Sequence, residues 1–488
     1  MDAPPLGALI RPCGPVVDAE AVSRLEEALG PVPAAPAPVF AASPYLAGLA
    51  RRSPERLAAT LDQPPAARLA EILASTEGLT GGADALRVPL RRLKADLHLL
   101  TAVADLGGVW DLGAVTGALS RFADAAVQAA LRAAAHDARE KGRLIADPDA
   151  ESGPVPGLFG LAMGKHGAFE LNYSSDIDLS LFYDPARLGP ALAAGVDPQT
   201  FVNRIAQALA GLLTERTADG YVFRVDLRLR PDPSSTPPVV AAPAALQYYE
   251  SVGQNWERAA FIKARPVCGE AAAAAAFMAE MQRFVWRRSL DFAAVSDIQS
   301  IKRQIHVHKA DERLEAAGCN LKLGRGGIRE IEFFAQTQQL ILGGRKPALR
   351  APRTVDALKA LAEAGHIDGG TATELCEAYV RLRGLEHRVQ MLADEQTHIL
   401  PEDPAARRAV AALAGQGDLA AFDADVSDLL RRVNARYGEL FAEAESLSAS
   451  HGSLVFTGVE DDPETLATLS RMGFSDPPAV AASIRAWH

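Results

Sequence analysis

The sequence predicts a helix-rich α+β protein, and three observations predict it. Aromatic residues make up only 6% of the chain while alanine is abundant, a composition that favours helix. Apolar residues recur at three- and four-residue intervals on both sides of a central stretch. Within that stretch the period changes: Asp176-Ile177-Asp178 leads into the apolar run Leu179 to Tyr183, and Tyr221 to Arg230 alternates residue by residue. A sheet core flanked by an N-terminal helical region and a C-terminal helical bundle is therefore expected.

The composition bounds the function. At 488 residues the chain exceeds one ordinary core, and 48% hydrophobic residues suffice for packed domains. A net charge of -11 disfavours a nucleic-acid coating role. Cys13, Cys268, Cys319 and Cys376 show no paired spacing and read as thiols, not disulfides or a zinc site. There is no basic segment followed by an apolar run at the start, and no run of about 18 apolar residues anywhere. A soluble cytoplasmic protein, monomeric, without membrane or nucleic-acid partners, is the expectation.

Residues 1–112 read as a helical region whose first 40 residues, rich in proline and alanine, form an extended and loosely held lead-in. Leu57, Leu61, Leu69, Ile72 and Leu73, then Leu90, Leu93, Leu97 and Leu100, carry the helical period. Residues 113–286 hold the catalytic candidate, with a turn-rich hinge at 150–157, a helix at 198–217 ended by Gly220, and a proline-rich loop or lid from Pro231 to Pro243. Residues 287–450 read as a bundle: Ile298, Ile301 and Ile305 mark one helix, and Leu375, Tyr379, Leu382, Leu385, Val389 and Leu392 another at near-heptad spacing. Residues 451–488 stop at Trp487-His488 without a capping or tail signal and read as the start of a linker to something longer.

The chemistry concentrates between Leu158 and Arg230. Asp176 and Asp178 share one face of a strand, about 7 Å apart by the strand rise, and repel unless a cation lies between them. In Tyr221 to Arg230, Asp226 shares a face with Arg224, Arg228 and Arg230. A solvated strand face would read the same. Packed beside the first strand, however, Asp226 would complete a three-carboxylate cluster, with Arg228 and Arg230 facing the same cleft. A divalent-metal site serving phosphoryl or nucleotidyl transfer is the chemistry this suggests. Trp256-Glu257-Arg258 reads first as structural, and Lys263 and Arg265 as either phosphate contacts or ion-pair partners. Gly324, Gly326 and Gly327, set among basic residues ahead of a helix, read as either an anion site built from backbone amides or a flexible turn.

These residues resemble a known family. Gly164-Lys165, Glu170-Leu171-Asn172, Ser174-Ser175-Asp176-Ile177-Asp178-Leu179 and Val225-Asp226-Leu227-Arg228-Leu229-Arg230-Pro231 are similar to motifs of bacterial glutamine synthetase adenylyltransferases. So are Asn255-Trp256-Glu257-Arg258, Lys263-Ala264-Arg265-Pro266, Gly326 to Phe333, Glu386-His387-Arg388 and Asp394 to His398 with Leu400-Pro401. The resemblance runs from about Leu158 to Pro401, and its wording is that of the family's N-terminal, adenylyl-removing half. It implies a nucleotidyltransferase-type mixed β-sheet core. It also implies that Asp176, Asp178 and Asp226 are catalytic and hold one or two Mg²⁺. Gly164, Lys165, Gly167, Ser174, Ser175, Arg228, Arg230 and Lys263 would bind nucleotide and phosphate. The implied reaction removes AMP from a tyrosine of glutamine synthetase with inorganic phosphate, giving ADP. ATP, a PII-type regulatory protein and glutamine are the further partners it implies, and the longer parent would be bifunctional. His166 stands where the family carries leucine, and Ala168-Phe169 replaces a more glycine-rich turn, so the shape of that turn is what the resemblance leaves open. The rival readings are AMP transfer from ATP, uridylyl transfer to a PII-type protein, and a catalytically dead docking module.

Overall fold

A computed structural model of the chain describes residues 3–147, 152–287, 314–446 and 462–486. The expected helix marked by Ile298, Ile301 and Ile305 lies outside the described residues.

The chain is helix-rich around one small mixed sheet. Five strands form it: β1 (Leu158–Ala162), β2 (Asp176–Tyr183), β3 (Arg224–Asp226), β4 (Val239–Ala241) and β5 (Arg265–Gly269). β2 and β1 pair antiparallel, as do β1 and β5. On the other edge of β2, β3 runs parallel to its first three residues and β4 parallel to its last three. Alternation along β2 sends Ile177, Leu179, Leu181 and Tyr183 into the core shared with the N-terminal helices. Phe182 goes to the opposite face, where Phe159 and Phe277 pack on it. Asp176 and Asp178 begin that second face, at the end where it opens.

The helices at Ala83–Leu106 and Leu112–Glu140 cover the first face. Leu90, Leu97, Leu119 and Phe122 belong to the same apolar core as Leu171, Ile177 and Phe223. Asp111 caps the second helix by accepting from the Ala114 amide at 2.8 Å. The lead-in differs from expectation. It forms helices at Leu6–Leu9, Ala19–Leu29 and Ala37–Ala42, and all six residues of the last are buried. Pro38 lies in the first helical turn, where a missing N–H costs nothing, so proline there starts a helix instead of extending the chain. Gly14 lies so close to the bundle that an added Cβ would sit 2.3 Å from the Ala412 carbonyl oxygen.

The bundle contains helices at Ile328–Leu342, Thr354–Glu363, Gly369–Met391, Pro404–Leu413 and Leu419–Ser446. Leu375, Tyr379, Leu382, Leu385 and Val389 all enter its core, as their spacing predicts. It is joined to the sheet unit by buried polar contacts. Arg383, fully buried, donates to Asn172 Oδ1 at 2.8 and 3.1 Å and to the Tyr379 hydroxyl at 2.6 Å. Lys94 pairs with Asp394 at 3.0 Å. No described helix is long and apolar enough to cross a membrane.

Candidate metal and nucleotide site

β2 and β3 build the carboxylate cluster. Their parallel register sets Asp178 beside Asp226 and Asp176 beside Arg224. One carboxylate oxygen from each of Asp176, Asp178 and Asp226 lies within 4.8 Å of the others. β3 is only three residues long, whereas the sequence pattern predicts a strand to Arg230. The strand stops because Arg228 turns back on Asp226. Its backbone N–H donates to Asp226 Oδ1 at 2.8 Å, and its Nε lies 3.0 and 2.9 Å from the two carboxylate oxygens.

A one-turn helix at Gly164–Gly167 approaches this cluster. Gly164 has a φ of +53°, and an added Cβ would sit 2.6 Å from Asp178 Oδ2. Glycine is required there for conformation and for space. His166 is buried and its Nε2 is hydrogen-bonded to Asp124 Oδ1 at 2.7 Å, so the turn is pinned to the helix at Leu112–Glu140.

The carboxylates are tuned in opposite directions. Burial and the neighbouring charges of Asp176 and Asp226 push Asp178 up to about 7. Among the described residues no hydrogen bond or ion pair reaches its carboxylate. Burial would also raise Asp226, but the Arg228 hydrogen bonds and charge outweigh it and hold that carboxyl below its usual range. Asp176 accepts a 2.8 Å hydrogen bond from Gln396 Nε2, which the bundle supplies. An all-carboxylate donor set with a crowded, unpartnered central member suits a hard divalent cation such as Mg²⁺.

The cluster opens on a cavity of about 710 Å³. Gly164, Lys165, Ser175, Arg228 and Lys263 reach its wall, but Gly167, Ser174 and Arg230 do not. A Cβ on Gly167 would meet the Lys263 carbonyl oxygen at 1.9 Å, so that glycine serves close backbone packing. Ser174 is buried; its N–H donates to Gln390 Oε1 at 2.8 Å and its hydroxyl accepts from Arg224 at 3.2 Å. Arg230 donates to the carbonyls of Leu227, Pro233 and Thr236 at 2.7, 3.0 and 3.1 Å and so ties down the proline-rich loop.

Two wall lysines already have carboxylate partners. Lys263 donates to Glu170 at 2.7 Å and lies 3.8 Å from Glu332. Lys165 lies 3.3 Å from Glu386, which also meets His398 Nδ1 at 2.5 Å. Burial lowers Lys165 to about 8, against the opposing pull of Glu386.

The wall also includes Gln396, Lys322, Arg329, Glu332 and the exposed ring of Trp256, which lie in stretches whose sequence suggests a motif but assigns none of these side chains a role in the site. Glu257 and Arg258 are structural. Glu257 closes a capping box with Gln254, and Arg258 donates to the carbonyls of Phe284 and Val285 at 3.1 and 2.9 Å. In the glycine segment before Ile328, the amides that would face an anion are engaged within the fold. The amides of Ile328 and Arg329 donate to the Leu321 and Lys322 carbonyls, each at 2.9 Å, and the Gly326 amide donates to Glu330.

Residues 35–280, which contain the carboxylates, match a family model described as glutamate-ammonia ligase adenylyltransferase. Residues 299–441 match one described as GlnD PII-uridylyltransferase. A bifunctional glutamine synthetase adenylyltransferase/adenylyl-removing enzyme of Caulobacter vibrioides is 61% identical over 98% of this chain and 50% of its own length. Enzymes of the same name from Rhizobium meliloti and Xanthobacter autotrophicus are 49% and 46% identical, over 92% and 100% of this chain and 46% and 51% of their own lengths. The chain thus spans about half the length of the curated relatives it matches. By sequence, the chain belongs to the glutamate-ammonia ligase adenylyltransferase family.

Proposed function

We propose that this chain removes AMP from an adenylylated tyrosine of glutamine synthetase by phosphorolysis. The observation that carries the reading is the cluster of Asp176, Asp178 and Asp226 at the mouth of a cavity lined by cations. An oxygen of hydrogen phosphate attacks the AMP phosphorus. A P–O–P bond forms and the bond from phosphorus to the tyrosine oxygen breaks, its electron pair leaving with the phenolate. The proton carried in by the phosphate ends on the phenol, and the other product is ADP. With an unperturbed pKa of about 10, tyrosine is a leaving group that needs little protonation, so the site can work without a general-acid histidine.

One or two Mg²⁺, held by Asp176, Asp178 and Asp226, would supply charge neutralisation at the phosphorus-bound oxygens and the departing phenolate. The chain's own residues set up that arrangement. Gly164 lets the turn close over Asp178, Arg228 grips Asp226, and Gln396 orients Asp176. Ser175 and Lys165 stand where the nucleotide phosphate would lie.

We assign the opposing transfer of AMP from ATP to the part of the longer relatives outside the matched half. The bundle's likeness to a PII-uridylyltransferase supports a PII-type protein as an effector. Uridylyl transfer is the weaker reading, since the carboxylates fall within the adenylyltransferase match.

The test incubates the chain with AMP-modified glutamine synthetase, Mg²⁺ and phosphate, and in parallel with unmodified synthetase and ATP. ADP should appear in the first mixture alone, and Asp176→Asn or Asp226→Asn should abolish it. AMP incorporation in the second mixture, with no ADP in the first, would reverse the direction.

A further inference from the structure

Among the described residues, five cationic side chains reach the cavity wall: Lys165, Arg228, Lys263, Lys322 and Arg329. The first three have carboxylate partners in Glu386, Asp226 and Glu170. Lys322 and Arg329 form no side-chain hydrogen bond or close ion pair with any described residue, yet both are partly buried, and the carboxylates they act on, Asp178 and Glu332, lie beyond ion-pair distance. Their neighbour Arg325 is exposed. A partly buried cation without a hydrogen-bonded counter-charge gains when an anion binds it directly.

The turn that carries them is held by its own backbone contacts. Asn320 Oδ1 accepts from the amides of Lys322 and Leu323 at 3.0 and 2.8 Å, and the Arg329 amide donates to the Lys322 carbonyl at 2.9 Å. Gly326 lies against the bundle so closely that an added Cβ would sit 2.0 Å from the Leu430 carbonyl oxygen. Lys322 and Arg329 are thus bound to each other through the backbone and held on the bundle side, across the cavity from β2 and β3.

We infer that Lys322 and Arg329 form the subsite for the attacking inorganic phosphate, an inference that rests on the phosphorolytic reading above. The phosphate brings a charge of about -1.5 to -2, comparable to a phosphate monoester, toward a diester that is itself negative. The cations on the sheet side already balance carboxylates, so the bundle supplies the charge that lets the two anions approach. Lysine acts as a point charge and arginine as a two-pronged donor, a pairing suited to a tetrahedral oxyanion. The attacking phosphate becomes the β-phosphate of ADP. The same subsite therefore distinguishes ADP from AMP.

The experiment uses the full chain with Mg²⁺ and measures equilibrium binding of ADP, AMP, ATP and inorganic phosphate, alongside phosphate-dependent ADP release. Lys322→Met and Arg329→Gln should each weaken ADP and phosphate binding at least tenfold and raise the KM for phosphate by a similar factor. AMP and Mg²⁺ binding should be unchanged, and Lys322→Arg should keep most of the ADP affinity. Equal loss of AMP and ADP, or no loss of phosphate, overturns the assignment. So does weakened ATP with phosphate untouched, which would give these cations to a triphosphate tail. If the parent chain releases no ADP but the binding differences hold, the phosphorolytic reading fails and the phosphate subsite stands.

Discussion

Replacing Asp178 by asparagine should make the metal-free protein more stable while removing its response to Mg²⁺. Three carboxylates lie within 4.8 Å of one another. At an effective dielectric of about 20, two unit charges at that separation repel by about 3.5 kcal/mol. The rise of Asp178 from 3.8 to about 7, driven first by burial and then by the charges of Asp176 and Asp226, corresponds to about 4 kcal/mol at 1.36 kcal/mol per unit. Solvent at the cavity mouth screens part of this, leaving about 1–3 kcal/mol recovered at pH 8 when the charge is deleted in an isosteric side chain. The parent should gain about 2.7 kcal/mol from Mg²⁺ at a hundred times its dissociation constant. Urea unfolding in EDTA and in excess Mg²⁺ reads both quantities. In EDTA the variant should unfold at higher urea than the parent; in Mg²⁺ the order should reverse or vanish. A variant less stable in EDTA, or stabilised by Mg²⁺ as much as the parent, would refute the reasoning.

Gly164→Ala should cost about 1–2 kcal/mol through the left-handed backbone alone, and should also displace Asp178. Gly142→Ala is the control, because Gly142 has a φ of +62° but open space around its Cβ position. Both variants should lose stability in urea unfolding, but only Gly164→Ala should lose Mg²⁺ affinity, by tenfold or more in a titration. Acid should weaken the fold through His98. Burial and the Lys94 charge push its imidazole down to about 3, while Tyr45 bonds Nδ1 at 2.9 Å. The unfolded chain binds this proton near pH 6.5, so stability present above pH 6.5 is lost as the pH falls from there toward 3. The slope is at most about 1.4 kcal/mol per pH unit. His98→Gln should flatten the profile between pH 6.5 and 5, and an unchanged slope would count against the assignment.

The sheet was legible only where its residues alternate in polarity or carry charge. β2 announces itself through Asp176-Ile177-Asp178 and the run behind it. β1 is buried along its whole length and so shows no period 2, and β5 is a five-residue strand that opens on Arg265-Pro266, too short and irregular to alternate. β4 lies in the proline-rich stretch taken as loop or lid; its Val239 and Val240 are buried where β4 pairs with the far end of β2. The lead-in was misjudged because proline reads as a helix breaker in composition but starts helices when it falls in the first turn.

Local sequence, then, determined the helical stripes, the carboxylate pair on one strand face and the arginine-flanked Asp226 that a parallel register brings beside it. Those follow from side-chain period and need no knowledge of distant chain. Tertiary structure alone decided which cations remain free to meet a ligand. Lys263 is quenched by Glu170 93 residues away, Lys165 by Glu386 221 residues away, and Asp176 is oriented by Gln396 220 residues away. A charge carries no sequence signature of its partner, because Coulomb attraction depends on separation in space and the fold sets that separation.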